Sequence, residues 1–139
     1  MATVNPYLVF NGNCEAAFLF YESVFETKIP YMGKFGEMPE SESKLSENEA
    51  NRVMHVTLPI GKDTVLMGSD TNAASGDVKF GENLSISINA ENIAEADKLF
   101  NGLSEGGIIK MPIQKTFWNA YFGMFTDKFG IHWMVNFDM

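Results

Sequence analysis

The segment Phe117-Trp118-Asn119-Ala120-Tyr121-Phe122-Gly123-Met124-Phe125-Thr126-Asp127-Lys128-Phe129-Gly130-Ile131-His132-Trp133 contains two aromatic runs around an Asp-x-x-Gly sequence. Runs rich in Phe, Tyr and Trp favour strands, because large rings pack well on a pleated surface. Asp and Gly favour a tight reversal of the chain between two strands. The segment therefore predicts a β-hairpin with an unusual number of large rings.

The composition restricts the classes of protein to which the chain can belong. With 139 residues, 45% of them hydrophobic, the chain is long enough for one domain with a core. The net charge is −8, and Arg52 is the single arginine among ten basic residues, so we expect neither nucleic acid nor membrane as a partner. The single cysteine, Cys14, excludes an internal disulfide. Without a signal-peptide pattern or an apolar run of roughly 20 residues, the sequence predicts a cytoplasmic protein.

The periodicity of apolar residues predicts one order of elements twice: a strand, a helix and three further strands. In the first half, strands are predicted at residues 3–10, 29–35, 52–58 and 64–69, and a helix at residues 14–25. We expect the helix to bury Ala17, Phe20, Tyr21 and Val24, and the third strand to turn Met54, Val56 and Leu58 toward the core. In the second half, a strand at residues 84–89 precedes a helix from Ile93 to Leu103, and residues 108–117 and the hairpin supply three strands. Asn13 and Asn92 are predicted N-caps, the second in capping-box spacing with Glu95. We expect an α+β fold of two βαβββ modules in a single domain, residues 1–139, with module one at about 1–70, a linker at about 71–82 and module two at about 83–139.

Residues 37–50 differ in composition from the rest of the first half. They contain five Glu and one Lys, together with Pro39 and several Ser, and few large apolar residues. This composition predicts a mobile acidic loop. The loop is either a flap that closes over a pocket or a plain solvated connection.

Motifs along almost the whole chain carry a family resemblance. They are Pro6-Tyr7-Leu8-Val9-Phe10-x-Gly12-Asn13, His55 on the third strand, Leu66-Met67-x-Ser69-Asp70, Trp118, Phe122-Gly123-Met124, Asp127 and Phe129-Gly130-x-x-Trp133. With the duplicated modules, they resemble the PhnB-like branch of the vicinal oxygen chelate superfamily, which includes glyoxalase I, extradiol dioxygenases and bleomycin-resistance proteins. The resemblance implies two curved mixed sheets that each form a cleft on the concave side, and subunits that form homodimers.

Some members of this branch are described as demethylubiquinone methyltransferases. Such an activity needs a site for a methyl-donating cofactor, and this sequence has no glycine-rich loop after a first parallel strand. Asn11-Gly12-Asn13 is too short to replace such a loop. The sequence therefore gives no support to methyl transfer.

The resemblance also implies four positions at which the superfamily's enzymes hold a divalent metal. In those enzymes, His and carboxylate side chains face into the cleft from four strands, and open positions on the metal bind paired substrate oxygens. A thioether is a poor ligand for the metals of such sites. We therefore predict no glyoxalase-type metal and no cofactor. The residues at the corresponding positions are Asn5, Pro6 or Tyr7, then Met67 or Ser69, then Asn83, Leu84 or Ser85, and finally Met134.

The side chains predicted to line the cleft are mostly aromatic rings and thioethers, and such a lining suits a small planar or apolar molecule. His55 and His132 are candidate general bases, although each is also consistent with a structural histidine.

Asp70 is predicted to cap a turn, Cys14 to be at least half-buried, and Trp133 to pack under a helix on the opposite face from His132 and Met134. The predicted ligand pocket consists of His55, Met67, Ser69, Trp118, Phe122, Met124 and Met134.

The sequence is compatible with three functions. The first is a metal-free dimer that binds a small apolar or aromatic molecule, as bleomycin-resistance proteins sequester drugs. The second is a metal-dependent lyase or isomerase with a rearranged site that uses His55, His132, Glu82 or Glu49. The third is a structural or regulatory dimer that has no ligand.

Overall fold

The computed structural model describes residues 2–38, 45–72 and 74–139 and divides the chain into two compact units, Met1–Lys79 and Phe80–Met139. The boundary between the units falls inside the predicted linker. Each unit contains a four-stranded mixed sheet with a long helix packed on one face. The predicted α+β fold of two βαβββ modules is confirmed.

The first unit repeats the predicted order of elements and adds a short helix. Its sheet has the order β1-β4-β3-β2, in which β1 runs parallel to β4 and the other pairs are antiparallel. A turn of 3₁₀ helix covers Phe35–Glu37. The elements are β1 (Tyr7–Phe10), α1 (Cys14–Phe25), β2 (Tyr31–Lys34), α2 (Glu47–Ala50), β3 (Val53–Ile60) and β4 (Thr64–Asp70).

Two boundaries in the first unit differ from the prediction. Strand β1 begins at Tyr7 and not at Thr3, because Pro6 has no backbone N–H to donate to a neighbouring strand. The predicted acidic loop includes the helix α2, whose first turn is capped by Ser46, since the Ser46 hydroxyl accepts from Glu49 N at 3.1 Å. Residues 39–44 of that loop lie outside the described residues.

The core face of the first unit is also shifted from the predicted one. Helix α1 buries Phe18, whereas the periodicity favoured Phe20 and Val24. Gly68 makes room for this ring, because a Cβ there would lie 2.7 Å from a Phe18 ring carbon. On β3, Val53 is buried where Met54 was expected, since a register shift opposite β2 makes Met54 an extra residue in the ladder.

Asp70 connects the start of α1 to the start of β3. Its carboxylate is buried and accepts from Gly12 N at 2.8 Å, Cys14 N at 3.0 Å and Val53 N at 2.9 Å. Asn13, the predicted N-cap, makes no side-chain cap hydrogen bond, because the Asp70 carboxylate occupies this end of the helix. The prediction that Asp70 caps a turn is therefore confirmed, and the prediction for Asn13 is wrong.

The second unit follows the predicted order without additions. Its sheet has the order β5-β8-β7-β6, with β5 parallel to β8. The predicted N-cap is confirmed, since Asn92 Oδ1 accepts from Glu95 N at 2.8 Å. The reciprocal bond differs from a standard capping box, because Glu95 Oε1 accepts at 2.8 Å from Glu91 N, one residue before the N-cap. Leu84 is exposed and precedes the strand that was predicted to include it. The elements are β5 (Ile86–Asn89), α3 (Ile93–Ser104), β6 (Ile108–Lys115), β7 (Ala120–Thr126) and β8 (His132–Asp138).

The aromatic hairpin consists of β7 and β8, as the sequence predicted. Its turn is closed by Asp127, which accepts from Phe129 N at 2.8 Å, Ile131 N at 3.0 Å and Trp133 Nε1 at 2.8 Å. Trp133 is buried opposite Phe125, whose ring meets Phe100 of α3 at 5.2 Å between centroids. The helix-facing side of the hairpin is therefore core. Within the described ranges, no helix has both the length and the apolar character needed to cross a membrane.

Candidate functional site

The face of the first sheet that points away from α1 carries a row of side chains across all four strands. Tyr7 of β1 lies opposite Met67 of β4, Met67 opposite Thr57 of β3, and Thr57 opposite Tyr31 of β2. Residues paired directly across strands point to the same side of a sheet, so these four side chains share one face. The buried residues Leu66 and Asp70 alternate with Met67 and point to the helix side.

His55 lies beside this row and contacts both tyrosines. Its ring centroid is 5.7 Å from that of Tyr7 and 6.4 Å from that of Tyr31. The Nδ1 atom lies 3.4 Å from the Tyr7 hydroxyl, and Nε2 lies 3.1 Å from the Thr57 hydroxyl. Either hydroxyl can donate or accept, so both tautomers of the neutral imidazole find a partner. The face therefore presents an imidazole between two phenol rings that are 46% and 50% exposed.

Gly33 determines where the Tyr31 ring lies. Gly33 is paired with His55 across β2 and β3, and a Cβ at this position would overlap the Tyr31 hydroxyl. The absence of a side chain at Gly33 thus allows the Tyr31 ring to fold over the strand toward His55. Any larger residue at this position must displace the ring.

The corresponding face of the second sheet carries a row of thioethers. Met134 of β8 lies opposite Met124 of β7, and Met124 lies opposite Met111 of β6. Ser87 of β5 completes the row opposite Met134. Three adjacent thioethers give a deformable apolar surface.

Large rings continue this face toward the β6–β7 turn. Phe122 is half-buried on β7, and Trp118 meets it at 6.0 Å between centroids. Trp118 is 51% exposed and also contacts Phe117, which is 97% exposed. Asn119 adopts a φ of 66° in this turn, a left-handed conformation that Asn tolerates better than most residues.

The predicted pocket residues all lie on the helix-free faces or beside them. His55, Met67 and Ser69 share the face of the first sheet, whereas Phe122, Met124 and Met134 share that of the second, with Trp118 next to Phe122. Tyr31 and Met111 also lie on these faces, and the apolar periodicity of the sequence did not predict them. The short strand β2 offered too few residues for alternation to place Tyr31, and two register shifts along β6 disguise the alternation that would have placed Met111.

His132 is held by hydrogen bonds at both ring nitrogens. Nε2 lies 2.9 Å from the Gly81 carbonyl oxygen, which can only accept, so the neutral ring carries its proton on Nε2. Nδ1 then accepts from the Thr126 hydroxyl at 2.8 Å. Since neither nitrogen is available to a substrate in this arrangement, the geometry favours a structural histidine.

The other candidate reactive side chains, Glu49, Glu82 and Cys14, either have structural partners or lie outside the group around His55. Glu49 accepts from the Ser46 hydroxyl at 3.0 Å in the first turn of α2. Glu82 lies exposed before β5. Burial, and secondarily the negative charge of Asp70, raises the pKa of the Cys14 thiol far above its ordinary value. A buried neutral thiol is not a nucleophile.

The donor set does not match a glyoxalase-type metal centre. Among residues 2–38, 45–72 and 74–139, no group of three or more His, Cys, Asp and Glu side chains is arranged to hold a metal ion. The neighbours of His55 on its face are phenol, hydroxyl and thioether groups, which are weak ligands beside the His and carboxylate sets of such enzymes.

Comparison with known proteins relates both units to one family. Residues 2–136 match the family described as 3-demethylubiquinone-9 3-methyltransferase. Protein YjdN of Escherichia coli (strain K12) is 32% identical over 140 residues, which cover 96% of this chain and 93% of that protein.

Solved structures share the fold over almost the whole chain. Protein PA1353 from Pseudomonas aeruginosa has a TM-score of 0.86 and 40% identity, and the match covers 99% of this chain and 98% of that one. A PhnB protein from Bacillus cereus has a TM-score of 0.78 and 24% identity, with coverage of 98% and 99%. A glyoxylase/bleomycin resistance protein/dioxygenase domain from Frankia sp. EAN1pec has a TM-score of 0.70 and 12% identity, with coverage of 100% and 98%.

Proposed function

The chain belongs to the family described as 3-demethylubiquinone-9 3-methyltransferase, within the PhnB-like branch of the glyoxalase, bleomycin-resistance and dioxygenase superfamily, and we propose that it binds a small planar aromatic molecule. The observation that carries the proposal is His55 between the half-exposed rings of Tyr7 and Tyr31. Pairs of aromatic rings contribute about 0.5–1.5 kcal/mol beyond their burial. A ligand ring that stacks on this group gains several such contacts.

The polar atoms of the same group favour a ring with oxygen substituents. The Tyr7 and Thr57 hydroxyls lie 3.4 and 3.1 Å from the His55 ring nitrogens, the Tyr31 hydroxyl lies over Gly33, which is paired with His55, and each can donate to or accept from a ligand oxygen. The family description names demethylubiquinone, whose headgroup is a planar ring with oxygen substituents. A headgroup analogue without the isoprenoid tail is therefore a suitable first probe.

We propose binding without methyl transfer. A methyl-donating cofactor needs its own site, and free N–H groups at a helix N-terminus commonly bind the anionic groups of cofactors. Here Gly12 N and Cys14 N at the start of α1 donate to Asp70, so they are not available to a cofactor. Incubation with S-adenosylmethionine and the headgroup analogue tests this point, and a methylated product would contradict it.

Thermal unfolding tests the binding proposal. A ligand at about 100 times its Kd stabilises the native state by about 2.7 kcal/mol, which for a chain of this size raises Tm by roughly 10 °C. We expect His55→Ala to reduce this shift strongly. Equal shifts in the wild type and in His55→Ala would refute a ligand at this group, and no shift across a panel of aromatic compounds would favour a structural or regulatory role.

Gly33→Ala supplies a sharper variant, because it keeps every aromatic residue and displaces the Tyr31 ring. We expect weaker binding of the aromatic probe in Gly33→Ala. Gly81→Ala is the matched control, since a Cβ there would lie 3.5 Å from the nearest atom, Asn83 Oδ1, in ordinary contact.

We also propose that the protein is a cytoplasmic homodimer, as the family resemblance implies. Light scattering coupled to size-exclusion chromatography measures the state directly. A dimer has twice the chain mass of 15.5 kDa. A single species at the chain mass over the working concentration range would contradict the proposal.

A further inference from the structure

The first unit contains a polar pocket that is chemically different from the aromatic group around His55. Its volume is about 430 Å³, within the range of small-molecule sites. Arg52, the only arginine of the chain, lines it together with Glu15 and Gly12. The rest of the lining consists of the carboxamide residues Asn11, Asn13, Asn48 and Asn51.

The guanidinium of Arg52 is held in place by neutral acceptors. Nη1 donates to the Thr71 carbonyl at 3.1 Å and to the Thr71 hydroxyl at 3.0 Å, and Nη2 donates to the Asn11 carbonyl at 3.3 Å. Gly12 lies against the group, since a Cβ there would be 3.2 Å from Nη2. The side chain is therefore oriented before any ligand arrives, which lowers the entropy cost of binding.

These contacts leave the positive charge of Arg52 and two of its N–H groups available to a ligand. Of the five N–H groups of a guanidinium, three are used by Thr71 and Asn11. No carboxylate of the described part of the chain lies within 4.0 Å of the group. The other charged lining residue, Glu15, pairs with Lys34 at 2.9 Å, and the nearby Asp70 carboxylate is buried on backbone N–H groups.

The carboxamides add uncommitted donors and acceptors to this charge. The Asn11 carboxamide is already hydrogen-bonded to Val78: Oδ1 accepts from Val78 N at 2.8 Å, and Nδ2 donates to the Val78 carbonyl at 3.0 Å. Asn13, Asn48 and Asn51 make no side-chain hydrogen bond to the described residues. Three carboxamides and two guanidinium N–H groups that have no partner among the described residues therefore lie around one polar pocket.

We propose that this pocket binds a small polar molecule through its oxyanion, a carboxylate or a phosphoryl group. The oxygens of such a group accept from the two remaining N–H groups of Arg52, and the carboxamides of Asn13, Asn48 and Asn51 bind the ligand's other polar atoms. Charge-assisted hydrogen bonds are about twice as strong as neutral ones, and the planar guanidinium can donate two of them to one oxyanion. This site is independent of the aromatic one.

Two-dimensional ¹H–¹⁵N NMR tests the proposal with inorganic phosphate and acetate as probes, against sodium chloride at equal ionic strength. We expect saturable shifts of the Arg52 Nε–H and of the three carboxamides with at least one probe. Saturation by phosphate alone identifies a phosphoryl ligand, and saturation by acetate alone identifies a carboxylate. Linear shifts, or shifts that chloride reproduces, would overturn the proposal.

Variants distinguish a binding arginine from a purely structural one. Arg52→Lys keeps the charge and loses the planar donors, so affinity is expected to fall about ten- to hundredfold. Arg52→Lys also removes the hydrogen bonds to Thr71 and Asn11, so it could fail to fold. In that event the double variant Asn48→Ala/Asn51→Ala tests the site, because it leaves Arg52 in place. Unchanged affinity in the double variant, with Asn101→Ala in the exposed part of α3 as control, would refute the site.

Discussion

The replacement Asp70→Asn removes the charge of a buried group that holds three backbone N–H groups. Oδ1 accepts from Gly12 N and Cys14 N, and Oδ2 accepts from Val53 N. In Asp70→Asn, the side-chain oxygen still accepts from Gly12 N and Cys14 N. The side-chain NH₂ group then faces the Val53 N–H, so two donors meet and neither has an acceptor. Losing its bond to a charged acceptor leaves the buried Val53 N–H unsatisfied, at a cost of about 1.5–3 kcal/mol. We expect a loss of roughly 2–3 kcal/mol, a large share of the stability of an ordinary domain.

Urea denaturation followed by circular dichroism measures this loss as a shift of the midpoint at constant slope. Asp63→Asn in the exposed β3–β4 turn is the matched control and is expected to stay within about 0.5 kcal/mol of wild type. Folded Asp70→Asn should also bind the aromatic probe normally, because Asp70 points to the helix side of the sheet. A loss below about 1 kcal/mol would refute the structural reasoning.

Three further measurements test the packing and the electrostatics. Gly68→Ala places a Cβ 2.7 Å from the Phe18 ring and should cost about 1–3 kcal/mol of unfolding free energy, whereas Gly81→Ala should cost almost nothing; equal losses would contradict this. Burial raises the pKa of the Cys14 thiol in the folded state above its ordinary value of 9.0. Above about pH 9 the thiol of the unfolded chain therefore loses its proton first, and the unfolding free energy should fall by up to 1.4 kcal/mol per pH unit relative to Cys14→Ala; parallel pH profiles of the two proteins would refute this. The hydrogen bond to Asp97 raises the pKa of Tyr121, and ultraviolet titration should show that pKa fall in Asp97→Asn, with an unchanged titration as the contradicting result.

The order of helices and strands could be predicted from the sequence because the residues that start, end and connect them lie close together in the chain. The capping residues Asn92 and Glu95 lie three positions apart, and the turn at Asp127 lies inside the segment it closes. The errors arose where partners distant in sequence decide the outcome. Asp70 displaces Asn13 as the cap of α1 from 56 residues away, and the register of β2 determines that Val53 and not Met54 is buried.

The candidate site was predictable in part for the same reason. Alternation along β3, β4, β7 and β8 placed His55, Met67, Met124 and Met134 on the helix-free faces. It could not show that Tyr31 folds over Gly33 toward His55, because this arrangement depends on a cross-strand pairing. The pocket around Arg52 could not be predicted either, because its lining residues come from two distant segments of the chain, the β1–α1 turn and α2 with the residues that follow it.

The most direct test of the proposed function is to locate a bound aromatic ligand by NMR. In the complex with the demethylubiquinone headgroup analogue, or with another planar compound that raises Tm, we expect intermolecular nuclear Overhauser effects from the ligand ring to the rings of Tyr7, Tyr31 and His55. Overhauser effects confined to other residues, or none in a saturated complex, would contradict the account.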